Sequence, residues 1–397
     1  MTDAAGLLAC VEDLADETVR VLQDLVRFPS VTGEEAEIGA YIAEFCRDMD
    51  LTVEVIEAAP DRPNVIGTRD DGTPGPTLLL VDHLDMFPPG PPDGWTYPPL
   101  SAEIADGLVY GRGTIDTKSG LTTILMATKA LRNSGLAIRG KLELAFTCDE
   151  EVASVLGIQH LANIGRLKAD MAIVAEPTTM QVEIATKGRL EAQITTRGTA
   201  THGSRPWLGH NAIDDMADMV VGLRELAHEL SERTHPRLGS ASLNVGVIEG
   251  GTVSNMVPDV CKAIVDRRVL PGETQEQAMG ELRAVIDRVA AGRNDFDATV
   301  EELTWRPGYL LGEDEPVIEV VSRAFETVVG TRPTVTVKDA GTDAAFIHTM
   351  TGIPVVMFSP GDGLAAGTVN ESVAIDDLIT ATKVMAQVLF DVLVEGA

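Results

Sequence analysis

Three short apolar runs in this chain each end on side chains that can hold a metal ion or move a proton. Residues 77–81 (TLLLV) lead into Asp82, His83 and Asp85. Residues 142–146 (LELAF) lead into Asp149, Glu150 and Glu151, and residues 171–175 (MAIVA) into Glu176 and Pro177. A further carboxylate, Asp116, lies in the glycine-rich stretch GRGTIDTKSG, just before a helical pattern that turns Leu121, Ile124, Leu125 and Thr128 inward. An imidazole among carboxylates is a donor set for zinc or a similar divalent cation. Without a cation, that many acids in one site would raise one another's pKa values. The set His83, Asp116, Glu151 and Glu176 is therefore read as a metal site. GRGTIDTKSG is not a phosphate loop, because Thr117 rather than glycine precedes Lys118 and no buried strand leads straight into it.

The elements that must position these residues follow from their patterns. Continuous apolar runs suit strands buried on both faces of an α/β sheet, and 353–358 (IPVVMF) supplies a fourth. Ligands of open α/β sheets gather outside the carboxyl ends of the strands, which is where all three acid-bearing runs stop. Residues 18–28 read as a helix, and Thr32 as the N-cap of a second one carrying Ile38, Ile42 and Phe45. Between 187 and 302 the character changes. Residues 189–195 and 263–269 alternate as half-exposed strands do, and 211–227 and 274–290 are amphipathic helices. The expectation is an α/β domain formed by 1–186 and 303–397, with a two-layer α+β domain, 187–302, inserted into it. A C-terminal helix over 375–394 returns to the first domain.

Composition narrows the function. The 397 residues carry 31 basic and 61 acidic side chains, a formal net charge of −30. A field of that sign repels nucleic acid and anionic membranes, so neither is expected as a partner. No apolar run approaches the ~18 residues of a membrane span. The acidic start MTDAAGLLACVEDLADE lacks the basic opening of a signal peptide. Cys10, Cys46, Cys148 and Cys261 are scattered without a CxxC, as expected of reduced thiols in a cytoplasmic protein.

Taken together, the motifs resemble those of the acetylornithine deacetylase / succinyl-diaminopimelate desuccinylase / glutamate carboxypeptidase family of cocatalytic zinc hydrolases. The segments that carry the likeness are HLDMFPPGPPDGWTYPP, GRGTIDTKSG, TCDEE, VAEP, ATHGSRPWLGHNAI, GGTVSNMVPD, DRRVLPGE and AGTDAA, spread over nearly the whole chain. The resemblance implies a zinc-peptidase-like mixed sheet sandwiched by helices, and an inserted domain that serves as lid and dimerisation surface of a homodimer. It implies that His83, Asp116 and Glu176 hold one metal, and that Asp116 bridges to a second held also by Glu151. Asp85 would orient the His83 ring, and Glu150 would be the general base. His202 would reach the partner subunit's site and stabilise an oxyanion there, and Asn255 and Arg268 would bind a substrate carboxylate, with backbone contacts from Gly341 and Thr342. Trp95 is read as a packing residue, and His348 as a packing or helix-surface residue.

One position departs from the family pattern. The C-terminal segment AAGTVNESV places Gly367 where the family has a histidine ligand. The expected activity is metal-dependent hydrolysis of amide bonds in N-acyl amino acids or small peptides. Zn2+ is the expected cofactor, as one ion or two, with Co2+ or Mn2+ as substitutes, and the second metal site is altered. The alternative is a non-hydrolytic member that binds, or otherwise transforms, an amino-acid-like ligand.

Overall fold

The computed structural model describes residues 3–395. The chain divides into two compact units. One comprises the chain up to Ile184, Leu311–Val337 and the chain from Thr342; the other comprises Ala185–Leu310 and Lys338–Gly341.

The first unit is built on a mixed sheet. Its strand order is Thr52–Glu57, Pro63–Asp70, Lys141–Thr147, Thr77–His83, Met171–Val174, Val355–Met357, Val182–Thr186. The four strands from Lys141–Thr147 to Val355–Met357 run parallel, and the flanking pairs are antiparallel. Leu78, Leu79, Leu80 and Val81 are all fully buried, so both faces of this strand are covered. Each such side chain contributes about 1.5–3 kcal/mol by leaving water, which is why the run is continuous rather than alternating. Parallel register brings the carboxyl ends together: His83 lies beside Thr147, and Val81 beside Val174. The segments bearing Glu150 and Glu176 thus leave the sheet at the edge where His83 sits.

Helices pack in two groups. Ser119–Ser134 lies against Ile375–Leu389 and Ala4–Asp13, and Ile375–Leu389 lies also against Pro316–Val329. Ala36–Asp48 lies against Pro63–Asp70, and Asp343–Thr351 against Val355–Met357 and Ile158–Asn163. Ser119–Ser134 is buried on nearly all sides. Its Thr122 and Thr128 satisfy their hydroxyls on the carbonyls of Lys118 and Ile124, one turn back. It ends at Gly135 with φ +70°, a left-handed cap that glycine adopts without strain.

The second unit is a four-stranded antiparallel sheet in the order Ser242–Gly250, Val260–Val269, Gly188–Arg197, Asp297–Arg306. Burial alternates along Val260–Val269, because the helices Ala212–Ser231 and Gln275–Ala290 form the second layer. Asn211 caps the first helix, and Thr274 with Gln277 forms a capping box on the second. The Asp297–Arg306 strand runs past residue 302, and its pairing with Gly188–Arg197 carries this unit on to Leu310.

Two local expectations are corrected. Thr32 does not cap the helix Ala36–Asp48, whose first turn has no side-chain cap. Its hydroxyl donates instead to Asp85 Oδ2, 2.7 Å away. The helix begins at Ala36 with Glu35 at its N-cap, so Thr32 lies three residues too early to cap it. The C-terminal α-helix stops at Leu389, and Phe390–Glu395 continues with wider π-type turns.

Candidate metal centre

The strand Thr77–His83 ends on a buried imidazole. His83 Nδ1 lies 2.9 Å from the Asp85 carbonyl oxygen, and its Nε2 lies 3.1 Å from Asp116 Oδ1 and 3.9 Å from Glu176 Oε1. A proton on Nδ1, donated to that carbonyl, leaves the Nε2 lone pair facing the acids, the tautomer a metal ligand needs. Two donor groups form around the ring: His83 with Glu150 and Glu176, and His83 with Asp116 and Glu151. In each, the ligand atoms lie within 4.8 Å of one another. His83 is common to both groups; Asp116, expected as the bridge, belongs to one.

The acids fit a cation. Burial, and then repulsion from Asp116, push the Glu151 carboxyl well above the usual range. Among the described residues, Glu151 Oε1 is buried with no hydrogen-bond partner. Burial works to lower the His83 pKa, but its bonds to Asp116 and Asp85 outweigh that and hold it well above the ordinary value. That upward pull on His83 reflects the negative field of the surrounding carboxylates, which favours a cation at this site.

Asp85 does more than was expected of it. Its carboxylate is 3.6 Å from His83 Nδ1, farther than its own main-chain carbonyl. Its closer partners are the N–H groups of Glu150 (3.0 Å to Oδ1) and Glu151 (3.2 Å to Oδ2), together with Thr32. Burial raises its pKa, but His83, Thr32 and the Glu151 N–H prevail and hold it below the usual range. Asp85 thus fixes the backbone from which both glutamates project. Asp149, at φ +74°, turns that backbone, and Arg62 Nη2 holds its carboxylate at 2.7 Å. Further along the same loop, Ser154 hydrogen-bonds to Asp343 Oδ1, while Thr147 donates to Asp343 Oδ2 at 3.1 Å.

Asp116 is carried by the turn Thr114–Lys118, and its peptide bond to Thr117 is cis. Arg112, Thr32, Arg62 and Asp343 were not anticipated as site residues. Arg112 and Asp343 lie in segments that the family resemblance singles out, GRGTIDTKSG and AGTDAA, but nothing in the local pattern shows which groups any of the four would meet. Trp95 packs as expected: its Nε1 donates to Pro89 O at 3.1 Å, and the Arg112 guanidinium lies over its ring at 5.3 Å. His348 Nδ1 lies 3.1 Å from Ile353 O at the end of its helix. Gly367 has φ +73°, and a Cβ placed there would meet the Phe87 ring at 3.5 Å.

The remaining expected site residues are placed as follows. Thr342, in the first unit, is buried and caps the helix Asp343–Thr351 through its hydroxyl. His202, Asn255, Arg268 and Gly341 belong to the second unit. Thr201–His202 pairs with Met256–Val257, and Gly203 N donates to Asn255 O at 2.7 Å, so the His202 and Asn255 segments are neighbours. His202 is exposed, and the Ser204 N–H donates to its Nδ1 at 3.1 Å, which places the neutral ring's proton on Nε2. Arg268 is half-buried and pairs with Asp266 at 2.7 Å; Gly341 lies against the Arg306 side chain.

Known proteins resemble this chain over most of its length. The profile of peptidase family M20/M25/M40 matches residues 79–391. A succinyl-diaminopimelate desuccinylase from Methylorubrum populi is 30% identical over 382 residues, covering 92% of this chain and 95% of the relative. An N-formyl-4-amino-5-aminomethyl-2-methylpyrimidine deformylase from Bacillus subtilis is 26% identical, covering 94% of each chain. The crystal structure of an M20 family metallo-carboxypeptidase from Sulfolobus solfataricus superposes with a TM-score of 0.81 at 21% identity, over 94% of this chain and 98% of that one, and so shares the fold. With a mixed α/β sheet, a ligand cluster at its strand ends and a profile match that spans both, the chain belongs to peptidase family M20/M25/M40, a family of metal-dependent hydrolases of amide and peptide bonds.

Proposed function

We propose that this protein hydrolyses amide bonds in N-acyl amino acids or small peptides. The observation that carries the reading is the pair of donor groups sharing His83, with Glu150 built into one of them. Following the family pattern, His83, Asp116 and Glu176 would hold one divalent cation, and Asp116 and Glu151 would provide for a second. Zn2+ is the first choice for one imidazole among carboxylates, and Co2+ or Mn2+ are substitutes. When bound, the cation polarises the scissile carbonyl and acidifies a water. Glu150 takes the proton of the attacking water and hands it to the leaving nitrogen. Asp85 keeps Glu150 and Glu151 in place through their N–H groups. In the homodimer, His202 would serve the partner subunit's site, where its Nε2–H would stabilise the developing oxyanion. Asn255, Arg268, Gly341 and Thr342 hold the substrate's carboxylate end, Arg268 because a guanidinium fork matches a carboxylate.

Gly367 leaves the second position one side chain short, so a second cation binds there more weakly than the first. The second unit would serve as the contact surface of a homodimer. Support comes from its edge strand Ser242–Gly250, on which Val247 and Ile248 are exposed. The scattered free cysteines support a cytoplasmic setting.

The test is a panel of N-acyl amino acids and dipeptides, offered to protein whose metal content has been measured. Turnover of some members is expected, together with its loss in Glu150→Ala, with the metal content of the variant measured alongside. Metal-loaded protein that hydrolyses nothing in the panel refutes the reading.

A further inference from the structure

The turn that presents Asp116 lacks the hydrogen bonds of a regular helix, and its N–H groups need acceptors. Ile115 N and Asp116 N both donate to one oxygen, Glu371 Oε1, at 2.8 and 3.2 Å. The other oxygen, Oε2, accepts from Arg112 Nη1 at 2.7 Å. Glu371 is 2% exposed, and it lies 255 residues along the chain from Asp116. Arg112, also buried, donates from the same nitrogen to Thr368 O at 3.1 Å. The main chain reinforces the contact, because Gly111 N donates to Glu371 O at 2.9 Å and Ser372–Ala374 pairs with Leu108–Tyr110.

We propose that Glu371 is a positioning residue for Asp116, and that Arg112 holds it in that role. With Oε1 occupied by two N–H groups and Oε2 by a guanidinium, Glu371 is committed to the turn, and it belongs to neither donor group. A single anionic oxygen that gathers two successive N–H groups fixes the plane of the backbone from which the Asp116 side chain leaves. Arg112 balances the added charge, so the clamp brings no extra repulsion to the acids. The segment from Gly367 to Glu371 therefore still completes the Asp116 position, although Gly367 offers it no donor. The proposal rests on the metallohydrolase reading.

The test is Co2+ titration of chelator-stripped protein, followed by calorimetry and by visible absorption, which reports ligand geometry. Glu371→Ala is expected to weaken binding about 10- to 100-fold and to change the absorption band. Glu371→Gln keeps one oxygen for the two N–H groups and is expected to lose less; it serves as the reading should the alanine variant fail to fold. Val373→Ala, a core truncation two residues away that touches no ligand, is expected to lower the unfolding midpoint and leave the Co2+ affinity and band unchanged. Folded Glu371 variants with parental affinity and absorption overturn the proposal. Equal weakening in Val373→Ala overturns it as well, by showing a general loss of stability. A parent protein that takes up no divalent cation instead refutes the metallohydrolase reading, and the proposal falls with it.

Discussion

Asp85 offers the sharpest check on how this site is built. Its buried carboxylate accepts three hydrogen bonds: from Glu150 N on Oδ1, and from Glu151 N and Thr32 Oγ1 on Oδ2. Asp85→Asn leaves one oxygen. The amide can keep the two donors of Oδ2 and lose Glu150 N, or the reverse, and the first choice is the better one. The loss is then one charge-assisted hydrogen bond, about 1.5–3 kcal/mol. Relief of Asp85's repulsion on Glu151 works against this loss, so the lower part of that range, about 2 kcal/mol, is expected. Asp85→Ala strips all three bonds. The Thr32 hydroxyl can rotate to another acceptor, but the two N–H groups cannot, which brings the cost to about 3–5 kcal/mol. Urea unfolding of chelator-treated protein, extrapolated linearly to water, measures both. Activity is expected to fall further than stability explains, because about 1 Å of displacement at Glu150 can cost about 100-fold in rate. An asparagine variant within about 0.5 kcal/mol of the parent, or an alanine variant no worse than the asparagine one, refutes the idea that Asp85 holds the Glu150–Glu151 backbone.

Three further outcomes are expected. Gly120→Ala would set a Cβ 2.2 Å from Ala175 O and 2.4 Å from Asp82 Oδ2, so the start of that helix must move; a loss of roughly 3 kcal/mol or more in urea unfolding is expected, and a neutral result would contradict the packing. Gly367→His forces a side chain into the left-handed region, at φ +73°, and against Phe87; it is expected to cost about 1–2 kcal/mol while raising the metal count per chain by elemental analysis. Burial pulls the Lys118 pKa down to about 7, from an ordinary 10.5. Between those values the unfolded chain binds more protons than the folded one, so stability rises with pH across this window. Lys118→Met should therefore exceed the parent's stability most near pH 7 and lose that advantage towards pH 10, as followed by thermal unfolding at a series of pH values.

What the sequence determined by itself is the set of elements and the chemistry at their ends. Continuous apolar runs at 77–81, 142–146 and 171–175 can be read locally, because burial on both faces leaves no polar alternation. Parallel strands then bring His83, Glu150, Glu151 and Glu176 to one edge whatever the detailed packing. Gly367 is a sequence expectation of the same kind, since it rests on the motif pattern alone. Hydrogen-bond partners are another matter, because a buried N–H takes whichever acceptor the tertiary fold brings within about 3 Å. Thr32 has the sequence context of a helix cap, yet its hydroxyl goes to Asp85, 53 residues away along the chain. Asp85 sits two residues from His83, yet its carboxylate holds the backbone of Glu150 and Glu151 more closely than it holds the ring. Glu371 marks only a position in a C-terminal motif until the fold sets it under the N–H groups of Ile115 and Asp116. Residue type and periodicity are local properties, so they are written along the chain. Which charge satisfies which buried donor depends on contacts between distant segments, and only the folded structure decides it.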